Sequence, residues 1–124
     1  MFLISKININ SDLTTIGRRD RLAQTDGSFE VGKSFTVILD NDISNYRRII
    51  VEMCYSSLRT LIEYESSIIQ GFITNNLVCR QGVFINDSKK GYLELIASES
   101  TTTSLKFTNG VQDLLTGFIV YGVK

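Results

Sequence analysis

The amino-acid sequence predicts an all-β fold, an antiparallel sandwich or barrel built from short strands. Three observations carry that reading. Apolar, β-prone segments recur about every eight to twelve residues, with turn-forming residues between them. One pair of segments satisfies both faces of a hairpin in a single register. No stretch of about ten residues or more gathers its apolar side chains on one helical face. The chain has 124 residues, 43% of them hydrophobic and 21% charged, which suits one domain with a buried core.

Residues 2–9 read as a first strand. Residues 10–33 read as a surface excursion holding one or two short strands, three glycines (Gly17, Gly27, Gly32) and the cluster Arg18-Arg19-Asp20-Arg21. Residues 1–33 are therefore set apart from a sandwich domain over 34–124. A strand over 35–39 ends at Asp40-Asn41-Asp42. The segments 48–55 and 58–65 pair as a hairpin turning at Ser56-Ser57. Ile49, Val51 and Met53 then share a face with Thr60, Ile62 and Tyr64, and Arg48 stands opposite Glu65.

Further strands are expected over 67–74, 77–80 and 83–85, the last two separated by Gln81-Gly82. The turn residues 86–91 lead into a strand over 92–97. Another over 104–108 closes on Asn109-Gly110, a favoured turn dipeptide. A helical turn over 111–115 with Asn109 as its cap precedes a final strand over 117–123.

Charge and composition narrow the functional classes. Lys plus Arg and Asp plus Glu number 13 each, so the formal net charge is zero. That balance gives no overall pull toward nucleic acid or an anionic membrane, and little repulsion between copies. No signal-peptide core or membrane-length apolar run is present, which leads to an expectation of folding in a cytosol. Cys54 and Cys79 are read as two buried, reduced thiols.

Histidine is absent, which removes the commonest general base and zinc ligand. Glu52, Glu63 and Glu65 are the acids available for carboxylate chemistry. Paired glycosidase carboxylates come from separated segments across a cleft, so a solvated strand face is the simpler reading. Asp40-Asn41-Asp42 has the opening spacing of a calcium loop, but Asn45 stands where that loop needs glycine and Val51 where it needs glutamate. No catalytic residue, metal ligand or cofactor is assigned. The basic pairs Arg18-Arg19, Arg47-Arg48 and Lys89-Lys90 each have an acid nearby and read as solvated or subunit-pairing charges. Tyr46 and Tyr92, beside turns, are the candidate exposed ligand contacts, as rings able to stack on sugar.

The hairpin over 46–65, the strand Gly91-Tyr92-Leu93-Glu94-Leu95, the Thr-rich stretch 100–104 and the ending over 115–124 resemble the terminal β-sandwich domains of bacteriophage tail fibres and related virion appendages. The last strand of those domains often closes on an isoleucine-tyrosine-glycine-isoleucine-like run, to which Val120-Tyr121-Gly122-Val123 is similar. The resemblance covers residues 34–124. It implies a jelly-roll-like sandwich, commonly a homotrimer, that binds a host surface or caps and attaches virion parts.

Such modules usually end a long fibre, whereas this sequence opens on Met1 with 33 residues ahead of the resemblance. The expectation is a small, non-enzymatic decoration or tail-adaptor subunit, made in the host cytoplasm and resident in the virion. Its expected partners are other virion proteins and copies of itself, without nucleic acid or membrane insertion. The strand over 2–9 either completes the domain's own sheet or adds to a partner's. The alternative is a carbohydrate-binding fibre tip that uses Tyr46 and Tyr92 against a host surface glycan.

Overall fold

The hairpin at the centre of the sequence argument forms residue for residue. In the computed structural model, which describes residues 19–124, β3 (Arg48–Tyr55) pairs with β4 (Leu58–Glu65) from Arg48 opposite Glu65 to Tyr55 opposite Leu58. Val51 and Ile62 face each other on the buried side. Ile49, Val51, Met53 and Tyr55 are fully buried, and each apolar side chain withdrawn from water contributes about 1.5–3 kcal/mol. Two residues suffice for the turn because Ser56 takes a positive φ of 60°. The expected Arg48–Glu65 ion pair does not form. Arg48 reaches the diagonal neighbour Glu63 on the same face instead, a contact within range of a long side chain.

The remaining strands are β1 (Arg19–Thr25), β2 (Ser34–Ile38), β5 (Val78–Asn86), β6 (Lys89–Ile96), β7 (Ser104–Asn109) and β8 (Gly117–Val123). They build two antiparallel four-stranded sheets, ordered β1-β8-β3-β4 and β2-β7-β6-β5, packed face to face as an all-β sandwich. First pairs with last and second with seventh, the nested wrapping of a jelly roll. The inner four strands instead form two sequential hairpins, β3–β4 and β5–β6. β1 lies inside the stretch read as a surface excursion, and it gives one sheet its edge. The strand expected over 2–9 lies outside the described residues.

Aromatic side chains from both sheets meet in the core. Phe35 of β2 stacks on Phe29 at 4.4 Å between centroids and meets Phe118 of β8 edge-on at 4.8 Å. Phe107 of β7 lies 5.1 Å from Phe118. These offset and edge-on contacts fasten one sheet to the other beyond simple area burial.

Three local expectations are corrected. Residues 67–74 are not a strand: helix α1 (Ser66–Asn75) connects the sheets. Its isoleucines favour strands, but Ile69 and Ile73 lie one turn apart and pack inward, while Ile68 stays exposed. Ser66 fixes the start by donating its hydroxyl to the Ile43 carbonyl at 2.6 Å, and Asn76, left-handed with φ 55°, ends the helix. Gln81-Gly82 does not break β5, which runs through both residues because glycine still supplies its ladder hydrogen bonds. Residues 111–115 form bends, not a helical turn, since Leu115 exchanges backbone hydrogen bonds with Phe29. Asn109 nevertheless accepts the Val111 N–H, as a cap does.

Candidate interaction surface

Neither sequence-selected tyrosine presents a bare ring. Tyr46 is only 6% exposed, which corrects the expectation of an exposed contact. Its ring fills the slot left by the missing side chain of Gly122, where a Cβ would come within 2.6 Å of it. Its hydroxyl donates to Asp20 at 3.0 Å and accepts from the Asn41 amide at 3.2 Å. Tyr92 is half-buried on β6, its ring over Gly110, and the Arg80 guanidinium carbon stands 4.5 Å from its centroid. Tyr46, in the connection before β3, packs on β8 of one sheet and Tyr92 lies on β6 of the other, so they do not form one site.

Glu52 and Glu63 are engaged in structural contacts, whereas Glu65 is exposed. Glu52 accepts from Arg59 at 3.1 Å and from the Tyr121 hydroxyl at 3.2 Å, and Glu63 pairs with Arg48. These groups tile the outer face of β8, β3 and β4. Asp42 accepts the Ser44 N–H at 2.8 Å and the Thr102 hydroxyl at 2.8 Å. Hydrogen bonds from Ser44, then that from Thr102, hold the Asp42 carboxyl below the usual carboxylate range. The calcium-like triplet thus caps a short 3-10 turn over Ile43–Asn45. No group of three or more potential metal ligands comes together among the described residues.

The basic pairs also divide. Arg19 and Arg48 flank Val123, whereas Lys89 binds Asp113 at 3.2 Å in the other half of the sandwich. Cys54 and Cys79 lie in different sheets, both unpaired and half-buried, less hidden than expected. Burial pushes the Cys79 thiol up. No helix among the described residues is long and apolar enough to cross a membrane.

The sheet edges separate more sharply than any pocket. Native proteins protect open edges with charges, bulges, short length or a cover. β2 is five residues long. β1 carries Arg19 and Arg21 and a register break after Arg21, and its Leu22 carbonyl is occupied by the Asp40 N–H at 2.9 Å. A groove of about 580 Å³ opens between β1 and β2, lined by Arg21, Gln24, Thr36 and Asp40 among others. β4 bears Arg59, Glu63 and Glu65.

β5 has little of this protection. It is nine residues long, pairs among the described residues only with β6, and has Arg80 as its sole charge. The Arg80 guanidinium is turned back to Glu94 at 2.7 Å. Val78 and Phe84, on the outer side of the strand, are 70% and 66% exposed. This edge is hidden in the sequence because Gln81-Gly82 reads as a turn that divides it into two fragments. The signal lay in the continuous alternation of Val78, Arg80, Gly82 and Phe84. Comparison of the chain with protein-family models, with curated proteins and with solved structures finds no match.

Proposed function

We propose that this protein works by assembly with other protein chains, as a non-enzymatic structural or attachment subunit of a bacteriophage virion. The observation that carries the assembly reading is the β5 edge, a long ladder unpaired among the described residues and bearing Val78 and Phe84. Such an edge offers main-chain hydrogen bonds for affinity and alternate side chains for specificity. The acids best placed for chemistry, Glu52 and Glu63, support the reading too, because each is committed to a neighbouring arginine. The virion assignment rests on the closing run Val120-Tyr121-Gly122-Val123 and on the sandwich that the resemblance implies. Decoration, tail and fibre-adaptor positions all fit a rigid sandwich with open edges.

The test is mass spectrometry of purified phage particles carrying the gene, with the chain quantified against a known capsid protein. A fixed stoichiometric ratio through successive purification steps is expected. A chain that stays free in the lysate overturns the virion reading. A glycan array separates out the fibre-tip alternative: a sugar signal lost on Tyr92→Ala would favour receptor recognition over assembly.

A further inference from the structure

We infer that the free edge of β5 pairs with the β5 edge of a second copy of this chain, antiparallel about Gln81. Directly opposed residues of an antiparallel ladder share a face, so the strand can be tested against itself. With Gln81 on the two-fold axis, Val78 of each copy stands opposite Phe84 of the other. Both side chains point outward and are the two most exposed large apolar residues of the strand. Arg80 then stands opposite Gly82, where nothing lies within 4 Å of the place a Cβ would occupy. On the inner side, Cys79 meets Val83.

Neighbouring registers fit less well. Centring on Gly82 sets Val78 against Asn86, across the irregularity between Phe84 and Asn86 where the ladder with β6 shifts. The Gln81 register ends before that bulge. Charge does not oppose it. The chain has zero formal net charge, and each Arg80 guanidinium is directed to its own Glu94 and Tyr92, away from the seam.

The contact is self-complementary, so one interface closes on itself as a two-fold dimer. It joins the β2-β7-β6-β5 sheets of two copies into one eight-stranded sheet with the β2 strand of each copy at its ends. This inference does not depend on the virion assignment. A dimer in solution together with absence from particles would remove that assignment and leave this one standing.

Sedimentation equilibrium of the full chain over a range of concentrations tests it. A reversible monomer–dimer equilibrium is expected. Val78→Lys or Phe84→Lys should weaken it by about tenfold or more in dissociation constant, with the far-ultraviolet circular dichroism unchanged. Thr36→Lys on the opposite edge should leave the dimer intact. In a chain whose Cys54 and Cys79 are replaced by serine, Gln81→Cys should oxidise to a covalent dimer, a readout independent of the lysine variants. A wild-type chain monomeric at every concentration, a trimer, or a dimer insensitive to both lysine changes overturns the inference. So does failure of Gln81→Cys to cross-link.

Discussion

The Tyr55 hydroxyl donates to the Asn109 side-chain oxygen at 3.0 Å, deep between the two sheets. Both residues are fully buried. The same oxygen accepts the Val111 N–H at 3.1 Å, while the amide nitrogen donates to the Phe29 and Asp113 carbonyls at 2.9 and 3.1 Å. Every polar position of this buried amide is used. One side chain thereby ties β3, the segment before β2 and the crossover from β7 to β8. Satisfied buried networks stabilise modestly, but leaving their members unpaired is expensive.

Two substitutions should therefore differ sharply. Tyr55→Phe removes one hydrogen bond and leaves Asn109 its other partners, so a loss of about 1 kcal/mol is expected. Asn109→Ala strands the Val111 N–H and the Asp113 carbonyl and leaves the Tyr55 hydroxyl only the weak Met53 sulfur acceptor at 3.8 Å, while the Phe29 carbonyl keeps the Leu115 N–H. Several kcal/mol should go, at about 1–3 kcal/mol for each buried group left unsatisfied. Urea unfolding monitored by circular dichroism measures both, and equal losses would refute the network account.

Tyr64 supplies the opposite case. Its hydroxyl is buried and has no hydrogen-bond partner among the described residues. Tyr64→Phe should stabilise the fold by about 1 kcal/mol, since it deletes a desolvated group without opening a cavity. An unchanged or lowered urea midpoint would count against this.

Burial pushes the phenols of both Tyr55 and Tyr64 far above the usual value near 10, with Asp113 adding to the shift at Tyr55. In both cases the folded-state value lies above the unfolded one. Both phenols are therefore neutral and leave stability independent of pH below about pH 10, and they lower it as pH rises from there toward the folded-state value. In an ultraviolet titration these two tyrosines should ionise only as the chain unfolds. The double variant Tyr55→Phe with Tyr64→Phe should flatten the alkaline limb of stability against pH.

How much of this was legible depended on the range of the forces involved. The β3–β4 hairpin was readable because two long segments alternate in step and a two-residue turn fixes their register. α1 was not, because isoleucine's preference for strands outweighed a spacing that becomes decisive only when Ile43 and Arg47 supply acceptors for Ser66. Tyr46 looked exposed from its local sequence. Its burial is set by Gly122, near the other end of the described chain, and no local pattern connects the two. The β5 edge was obscured for the converse reason, since a local turn signal hid a long-range ladder.

Gly122 gives the closing run its physical meaning. An added methyl group would come within 2.6 Å of two Tyr46 ring atoms, and that ring is held by Asp20 and Asn41. Gly122→Ala should cost about 1–3 kcal/mol by overpacking. Tyr46→Val in the same chain should recover part of the loss, a coupling that a double-mutant cycle detects. Additive losses would mean that glycine is needed there for some other reason.

Asp42 makes a prediction at acid pH. Hydrogen bonds from Ser44 and Thr102 hold its folded-state pKa below the ordinary value of 3.8. A depressed carboxyl stabilises the fold above its unfolded value, and that contribution disappears as pH falls through the folded one. Asp42→Asn should therefore be less stable than the wild type at neutral pH, and the two stability curves should converge as pH drops below 3.8. Thr102→Val removes a smaller contributor to the depression. Its curve should run between the other two at neutral pH and join them in acid. Parallel curves for wild type and Asp42→Asn across the acid range would show that the carboxylate charge at this turn contributes nothing to folding.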